Sequence, residues 1–382
     1  MAMKKDPTSL ERIQKKFILK DLQKKIVLLS GPRQVGKTWL ARSCQEGYKH
    51  ATYLNYDSID QRAIIEQQSW LPKTDLLILD ELHKMPRWKN YLKGIYDTRP
   101  AHLHILVTGS ARLDVMRGAG DSLAGRYFHH RLLPLSVSEL KQIGASIKLE
   151  DLISRGGFPE PYLSESDTDA ARWRTQYVDV LTRNEILDSN RILDMKAVKV
   201  TFELLRRRVG SPVSYQSLAE DVSVSPNTIK KYISIFETLY MVFGVRPWAK
   251  NIARSLQREP KYYFYDTGLV EGNDGAKFEN LMACSLLKHV YALNDVQGSD
   301  SQLSYLRTKD KQEVDFCIVE KNNPKLLVEA KYGDREISSQ LRYFCQRYKY
   351  PSVQVVQNLR TEYMSEAIAV RKAQNFLAEL FI

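Results

Sequence analysis

The chain carries a glycine-rich loop, Ser30-Gly31-Pro32-Arg33-Gln34-Val35-Gly36-Lys37-Thr38, directly after an apolar run at residues 26–29. The loop matches the pattern G-x-x-x-x-G-K-[ST], and an apolar strand before it and a helix opening at Lys37 are the context that this pattern requires. Glycines allow backbone N–H groups to curl around phosphate oxygens, and the N-terminus of a helix adds the positive end of its dipole. The loop therefore predicts a binding site for the phosphates of a nucleotide.

Side-chain chemistry assigns roles to the end of this loop. Lys37 is expected to reach the β- and γ-phosphates, and the Thr38 hydroxyl is expected to hold Mg²⁺. Trp39, the next residue of the helix, completes the predicted nucleotide-binding segment. The alternative is a plain glycine turn with a surface lysine, which does not account for the strand and the helix on either side.

Two carboxylates end a second apolar run, Leu76-Leu77-Ile78-Leu79-Asp80-Glu81. Asp80 would lie near Mg²⁺ and beside the phosphates, where an anion is tolerated only because the cation is present. Glu81 would polarise the water that attacks the γ-phosphate. Such a pair is also common at helix starts, so this prediction depends on the phosphate-binding loop.

Two further polar positions follow apolar runs. Thr108-Gly109-Ser110 ends the run at residues 105–107, where a hydroxyl group can hydrogen-bond the attacking water or the γ-phosphate. An ordinary Gly-Ser turn explains the same spacing. Arg126, in Leu123-Ala124-Gly125-Arg126, is placed to offset charge on the γ-phosphoryl group of a nucleotide in an adjacent subunit. Most arginines are instead solvated at the surface, and that alternative stays open.

The spacing of the apolar runs predicts a parallel sheet. Short runs that are apolar on both faces suit buried parallel strands, and the segments between them suit crossover helices. The runs lie at residues 26–29, 53–55, 76–79 and 105–107, and a fifth strand is expected at 127–133. Residues 22–140 are therefore predicted to form a doubly wound α/β domain, preceded by a basic amphipathic helical arm at residues 1–21.

Composition limits the class of protein. The 382 residues are 43% hydrophobic and 27% charged, which excludes wholesale disorder and suits two or three domains. The 57 Lys and Arg against 45 Asp and Glu give a formal net charge of +12, which favours polyanions such as nucleic acid. No apolar run approaches the ~18 residues of a transmembrane helix. The N-terminus is too charged for a secretion signal, and the four cysteines show no C-x-x-C pair, so we expect a soluble cytoplasmic protein without a membrane partner.

The middle of the chain is predicted to hold a helical lid and connector at residues 141–205, interrupted by Gly156-Gly157-Phe158-Pro159, and then a winged helix at 206–270. In the winged helix, a helix at 214–222 is followed by a second one that begins at Ser225-Pro226-Asn227. That second helix would present Lys230 and Lys231 to DNA. Arg206-Arg207-Arg208 precede a Gly-Ser-Pro break and suit phosphate contacts. Winged helices also dock proteins, and charge runs are often solvated faces.

Residues 271–382 carry carboxylates whose positions predict a second metal site. Glu279 falls on a predicted helix, Asp315 at the end of a predicted strand, and Glu329 with Lys331 on the next strand. Glu329 and Lys331 lie two residues apart, so both point to one side of a strand. Asp315 and Glu329 would share Mg²⁺ or Mn²⁺, with Lys331 beside the attacking water and Glu279 as a further ligand. The pattern is similar to the restriction-endonuclease-like core of many Holliday-junction resolvases.

Together these motifs resemble those of AAA-type ATPases, specifically the bacterial and archaeal group that pairs this module with a winged-helix and nuclease-like C-terminal region. The resemblance covers nearly the whole chain and also rests on Asp80-Glu81-Leu82-His83-Lys84, Tyr263-Phe264-Tyr265-Asp266-Thr267-Gly268-Leu269 and Glu313-Val314-Asp315-Phe316. It implies Thr108 or Ser110 as the sensor, Arg126 as an inter-subunit finger, and a ring-shaped homo-oligomer. Gly157-Phe158-Pro159 is similar to the lid turn of signalling relatives, and Arg155 is the nearest candidate for a lid arginine.

Two functions follow from these features. The first is an oligomeric ATPase that uses ATP and Mg²⁺, binds duplex or branched DNA, and has a C-terminal region that either cleaves DNA or only binds it. The second is a nucleotide switch that assembles protein complexes, in which the winged helix docks a partner and the nuclease-like region is catalytically silent. ATP hydrolysis that DNA stimulates would distinguish the first from the second.

Overall fold

The computed structural model describes residues 10–109, 123–182, 194–249, 259–308, 310–333 and 336–382. These residues form two compact units, which divide between Leu133 and Pro134. The division lies earlier in the chain than the predicted boundary after residue 140. Leu132 donates its backbone N–H to Ser30 of the first unit, whereas the Pro134 carbonyl accepts a hydrogen bond from Lys288 of the second.

The first unit is built on a parallel sheet. Among the residues described, its strands are β1 (Ile26–Ser30), β2 (Ala51–Asn55), β3 (Leu76–Asp80), β4 (His104–Thr108) and β5 (Tyr127–Arg131). Their order across the sheet is β2-β3-β4-β1-β5, and each neighbouring pair is parallel. β1 and β3 are buried along their whole length, as expected for strands covered on both faces. The predicted doubly wound α/β fold is confirmed.

This strand order brings the polar ends of three strands together. β1 lies beside β4, and β4 lies beside β3. In register, Leu29 pairs with Thr108, and Asp80 pairs with Asn55 of β2. Because all the strands are parallel, the glycine-rich loop after β1, Asp80 and Thr108 emerge at the same edge of the sheet.

The helices of the first unit follow the strands in alternation. They are α1 (Gln14–Leu22), α2 (Lys37–Ser43), α3 (Ile59–Gln67) and α4 (Trp88–Thr98), with 3₁₀ segments at Cys44–Gly47 and Leu82–Lys84. Of the predicted N-terminal helical arm, the structure describes residues 10–21, where α1 begins at Gln14; residues 1–9 lie outside the described part. Ile18 and Leu22 of α1 are buried, as expected for the apolar face of an amphipathic helix.

The second unit opens with the helices predicted for residues 141–205. They are α5 (Val137–Gln142), α6 (Leu149–Ser154), α7 (Pro159–Leu163), α8 (Asp167–Val180) and α9 (Met195–Arg206). Gly156, between α6 and α7, has a φ of +77°, and a Cβ there would lie 1.8 Å from Oδ1 of Asp266. This turn therefore admits only glycine, because the left-handed backbone and the lack of space both exclude a side chain.

Two helices lie in the segment predicted as a winged helix, close to the positions expected for them. α10 (Tyr215–Val222) and α11 (Pro226–Thr238) are joined by a turn in which Ser223 has a φ of +60°. The Ser225 hydroxyl accepts a hydrogen bond from the backbone N–H of Thr228 at 3.1 Å, and Pro226 occupies the first helical position. An N-capping serine followed by proline starts a helix without losing a backbone hydrogen bond, which is why the sequence located this start correctly.

A mixed sheet completes the second unit. Its described strands are β6 (Val242–Pro247), β7 (Lys261–Phe264), β8 (Ser301–Arg307), β9 (Glu313–Glu320), β10 (Asn323–Lys331), β11 (Ser352–Val356), β12 (Tyr363–Ser365) and β13 (Ile368–Lys372), in the order β12-β13-β11-β10-β9-β8-β6-β7. β9 and β10 are antiparallel neighbours, as predicted. β6 pairs with β8, so strands from the predicted winged-helix and nuclease-like segments share one sheet.

Three more helices lie in this part of the chain: α12 (Asp274–Gln297), α13 (Ser339–Tyr348) and α14 (Ala373–Glu379). α12 packs on the sheet through buried residues that include Phe278, Met282 and Leu286. Among the residues that the structure describes, no helix combines the length and the apolar character needed to cross a bilayer. The five-part division predicted from the sequence stays a prediction.

Candidate active site

The glycine-rich loop runs from β1 to α2 in a tightly constrained backbone. Gly31 has a φ of +145°, and a Cβ at this position would lie 2.1 Å from the carbonyl oxygen of Leu132. Gln34, which is not a glycine, also adopts a left-handed conformation, with a φ of +59°. Such a backbone is stable only where its surroundings hold it in place. The loop therefore has the shape that leaves its N–H groups available to an anion.

Lys37 begins α2 and is buried, with 7% of its surface exposed. Its Nζ donates hydrogen bonds to the carbonyl oxygens of Gly31 at 3.0 Å and Pro32 at 2.5 Å. The ammonium group thus lies against the same loop that the sequence predicts to surround the phosphates. A positive charge is therefore concentrated at the α2 N-terminus, where anions bind favourably.

Asp80 lies at the end of β3 and is 2% exposed. Its carboxylate accepts hydrogen bonds from the Thr38 hydroxyl at 2.9 Å, from the Tyr53 hydroxyl at 2.6 Å and from the Thr108 hydroxyl. The structure therefore brings together Thr38 and Asp80, the two residues predicted to hold Mg²⁺, and adds Thr108 from β4. Hydroxyl and carboxylate oxygens are hard donors, so this pair fits Mg²⁺.

Glu81 follows Asp80 in a left-handed conformation, with a φ of +57°. Its Oε2 lies 3.5 Å from Nζ of Lys84 and 3.7 Å from Nε2 of His83. Burial raises the pKa of the Glu81 carboxyl, although the positive charges of Lys84 and Lys37 oppose the rise. A strained backbone that holds a carboxyl of raised pKa beside the phosphate loop suits a group that handles a proton or a water molecule.

Of the other two predicted catalytic residues, the structure describes Arg126 only. Ser110 lies outside the described residues. Arg126 makes a bidentate ion pair with Asp97 of α4, with Nε 2.8 Å from Oδ1 and Nη2 3.2 Å from Oδ2. Arg126 thus contacts a carboxylate within its own unit, at a partly exposed position.

Two residues near the nucleotide site were not predicted. Tyr53, on β2, contacts Asp80 as described above, and burial together with that carboxylate raises its pKa to about 12. Arg12 is 3% exposed, and its guanidinium donates to the carbonyl oxygens of Val35 at 2.8 Å and Leu133 at 2.6 Å. The sequence contains only weak signals for the positions of these two residues. Tyr53 lies on a predicted strand, and Arg12 lies between two apolar residues of the predicted helical arm, Leu10 and Ile13.

A charged cluster forms in the second unit where β7, β9, β10 and α12 meet. Asp315 and Glu329 are neighbours, because the Asp315 N–H donates to Oε2 of Glu329 at 3.4 Å. Nζ of Lys331 lies 3.1 Å from Oε1 of Glu329. Glu279 enters from α12 and accepts a hydrogen bond from the Tyr263 hydroxyl at 2.7 Å. The structure therefore gathers the four residues that the sequence assigned to a second metal site.

Two residues that the sequence did not assign to the metal site, Lys261 and Glu313, belong to the same charged cluster. Nζ of Lys261 lies 2.7 Å from Oε1 of Glu313, 3.7 Å from Oε1 of Glu279 and 3.8 Å from Oδ1 of Asp315. Lys261 lies in the segment predicted as a winged helix, and its side chain is only 1% exposed. Burial, then the charge of Asp315, raise the pKa values of Glu279 and Glu329 to about 7. Within the described ranges, no three His, Cys, Asp or Glu side chains are placed to hold one metal ion.

The residues predicted to contact DNA differ in their surroundings. Lys230 and Lys231 are exposed on α11, and Nζ of Lys230 lies 5.5 Å from the centre of the Tyr215 ring. Arg206 contacts Glu203 at 2.7 Å and Glu271 at 2.9 Å, and donates to the carbonyl oxygen of Leu269. The other two arginines also face carboxylates: Arg207 pairs with Glu271 and Arg208 with Asp221.

Comparison with known proteins divides the chain into three matched segments. Residues 23–141 match the family model described as an AAA domain. Residues 146–276 and 274–373 match two families described as domains of unknown function, DUF8612 and DUF4143.

Relatives were found in bacteria and archaea. An uncharacterized protein of Mycobacterium tuberculosis is 28% identical over 246 residues, which are 64% of this chain and 55% of the relative, so the match spans about half of that protein's length. An uncharacterized protein of Methanocaldococcus jannaschii is 24% identical over 369 residues, covering 86% of this chain and 79% of the relative.

A solved structure, the Walker-type ATPase of Pyrococcus abyssi, is similar with a TM-score of 0.44 at 13% identity, covering 67% of this chain and 93% of that one. The match to the AAA domain model at residues 23–141 covers the parallel sheet and the loop at which Lys37, Thr38 and Asp80 come together, so this part of the chain has the fold of an AAA-type P-loop ATPase.

Proposed function

We propose that this protein is a Mg²⁺-dependent ATPase whose second unit binds DNA. The observation that carries the ATPase part is the contact between Thr38 and Asp80, 2.9 Å long, beside the buried Lys37. A hydroxyl and a carboxylate meet there next to a lysine and a helix N-terminus, which is the combination that a nucleoside triphosphate with its cation requires.

The residues of the site divide the work of hydrolysis. Lys37 would contact the β- and γ-phosphates, and Thr38 and Asp80 would hold Mg²⁺, which would neutralise charge on the phosphates. Glu81 orients the attacking water and takes up its proton. The Thr108 hydroxyl, which contacts Asp80, reports whether the γ-phosphate is present.

The Glu81→Gln variant tests this assignment. We expect it to bind ATP as the native chain does but to lose most of its hydrolysis, because the amide cannot accept the proton of the attacking water. General-base groups contribute about 10²–10⁴-fold to rate, so turnover should fall by a factor in that range. ATP turnover and calorimetric ATP binding are measured side by side, with Glu320→Gln on the surface of the second unit as the matched control. Unchanged turnover in Glu81→Gln would refute the role of Glu81.

DNA binding is supported by the charge of the chain and by α11. The net charge of +12 attracts polyanions, and Lys230 and Lys231 are exposed on the second helix of a helix-turn-helix. The partly buried Arg206, with two carboxylates and a carbonyl oxygen as partners, is better suited to fixing α9 than to a phosphate contact. ATP turnover with and without single-stranded, duplex and four-way DNA tests the proposal. Turnover that none of these DNAs changes would favour the protein-assembly switch instead.

Oligomerisation is the part of the proposal that concerns Arg126. In an assembly of several copies, Arg126 would leave Asp97 and reach the γ-phosphate bound by a neighbouring copy. The ion pair with Asp97 supports this role of Arg126, because it keeps the guanidinium at a partly exposed position. Mass measurement with bound nucleotide tests whether the copies assemble.

Metal-dependent cleavage of DNA is the activity that the sequence predicts for the charged cluster of the second unit. The closeness of Glu279, Asp315 and Glu329 supports it, while the buried Lys261 beside them argues against it. We therefore propose that the second unit binds DNA without cutting it. Incubation of four-way DNA with Mg²⁺ or Mn²⁺ tests this; nicking that Asp315→Ala and Lys331→Ala both abolish would overturn it.

A further inference from the structure

We propose that Lys261 is the resident cation of the charged cluster, and that it keeps divalent metal ions out of this cluster in the native chain. The inference concerns the second unit alone and does not depend on the nucleotide chemistry of the first. It assigns a role to Lys261, which the sequence did not single out.

The first support is the position of the ammonium group. Its Nζ lies within 3.8 Å of oxygens from Glu313, Glu279 and Asp315, which come from two different elements, β9 and α12. Lys261 itself is on β7 and is 1% exposed, so water cannot solvate its charge. A buried lysine of this kind needs carboxylates around it, and these carboxylates in turn need a cation.

The second support is that the carboxylates already have donors. Oδ2 of Asp315 accepts the backbone N–H of Ala330 at 3.0 Å, and Glu279 accepts the Tyr263 hydroxyl at 2.7 Å. Glu329 lies against Lys331. A divalent cation would need several of these oxygens at about 2.0–2.6 Å, which requires them to release their present partners.

The third support is electrostatic. A divalent ion shared by Glu279 and Asp315 would lie within a few ångströms of Nζ of Lys261, and repulsion between like charges at that separation is strong in a poorly solvated site. The ammonium group and a divalent ion would therefore compete for the same carboxylate oxygens of Glu279 and Asp315.

Binding of Mn²⁺ to the full chain, dialysed against a chelator and free of nucleotide, tests the proposal by electron paramagnetic resonance. We expect the native chain and Asp315→Asn to bind the same amount of Mn²⁺, since the cluster contributes no site. Lys261→Met, which keeps the apolar stem and removes the charge, should gain one bound Mn²⁺. Lys261→Met combined with Asp315→Asn should lose this gain.

Either of two results would overturn the proposal. A Mn²⁺ site in the native chain that disappears in Asp315→Asn would overturn the proposal, and that comparison needs no variant of Lys261. A folded Lys261→Met variant that gains no Mn²⁺ would also overturn it, because the lysine would not be what excludes the metal. ATP turnover and DNA binding, measured on the same samples, report separately on the proposed function.

Discussion

Asp80 shows how single residues combine into a site. Its carboxylate accepts hydrogen bonds from hydroxyl groups on α2, β2 and β4, so three elements of the sheet edge are held to one side chain. Hydrogen bonds to an ionised carboxylate are stronger than those between neutral groups. The Thr38 and Thr108 hydroxyls are therefore held beside Asp80, which reduces the cost of ordering the site.

The pair formed by Arg126 and Asp97 supplies a prediction at the same scale. If Arg126 acts on a neighbour's nucleotide, Arg126→Ala should lower ATP turnover by about 10³-fold or more, while Asp97→Ala should leave it nearly unchanged. If the two residues only stabilise α4, both variants should show the same effect. Turnover, mass with bound nucleotide and thermal unfolding are measured for both. Equal losses of turnover would contradict the finger role.

At the scale of elements, the glycine-rich loop is supported by the segment that precedes α1. Arg12 donates to Val35 inside the loop and to Leu133, the last residue of the first unit. Val35 lies in the loop, outside the regular helices and strands, so a buried guanidinium is an effective way to satisfy its carbonyl group. The N-terminal arm is therefore part of the nucleotide site, although the sequence predicted only an amphipathic helix there.

This contact predicts the effect of Arg12→Ala. The substitution removes two hydrogen bonds from a charged group, each worth ~1.5–3 kcal/mol, so the free energy of unfolding of the first unit should fall by about 3–6 kcal/mol. The loop should also lose its fixed shape, which raises KM for ATP more than it lowers kcat. Lys20→Ala on exposed α1 surface removes the same charge and is the matched control. A KM equal to that of Lys20→Ala would contradict the role of Arg12.

At the scale of the whole molecule, the excess of positive charge is the property that matters for partners. A net charge of +12 produces a long-range attraction for DNA that salt weakens. Several of the basic residues predicted to contact DNA are paired with carboxylates, including Arg206, Arg207 and Arg208. The exposed lysines of α11 are therefore the part of the predicted surface with the most charge available to phosphates.

Salt dependence tests this surface. The affinity for duplex DNA should fall as salt rises, and replacing both Lys230 and Lys231 by alanine should reduce the slope of log K against log salt by about 2, because each phosphate contact contributes about 0.9. Lys325→Ala, on β10, is the control and should leave the slope close to the native value. Fluorescence anisotropy over a range of salt concentrations measures both. An unchanged slope in the double variant would place DNA binding elsewhere.

Several features of this protein were determined by local sequence. The parallel sheet followed from short runs that are apolar on both faces, and the start of α11 followed from Ser225-Pro226. The glycine-rich loop with Lys37 and Thr38 was also predictable, because a short pattern between a strand and a helix already specifies their geometry. In each case, residues close in sequence determine the local structure.

Tertiary structure decided what depends on distant residues. Lys261 is one basic residue among many until the fold brings its side chain against Glu313 and Asp315 of β9 and Glu279 of α12. Arg12 and Val35, Arg126 and Asp97, and the pairing of β6 with β8 are likewise contacts between segments far apart in the chain. Burial and charge pairing are properties of the folded arrangement, so the environment of these residues cannot be obtained from the sequence around them.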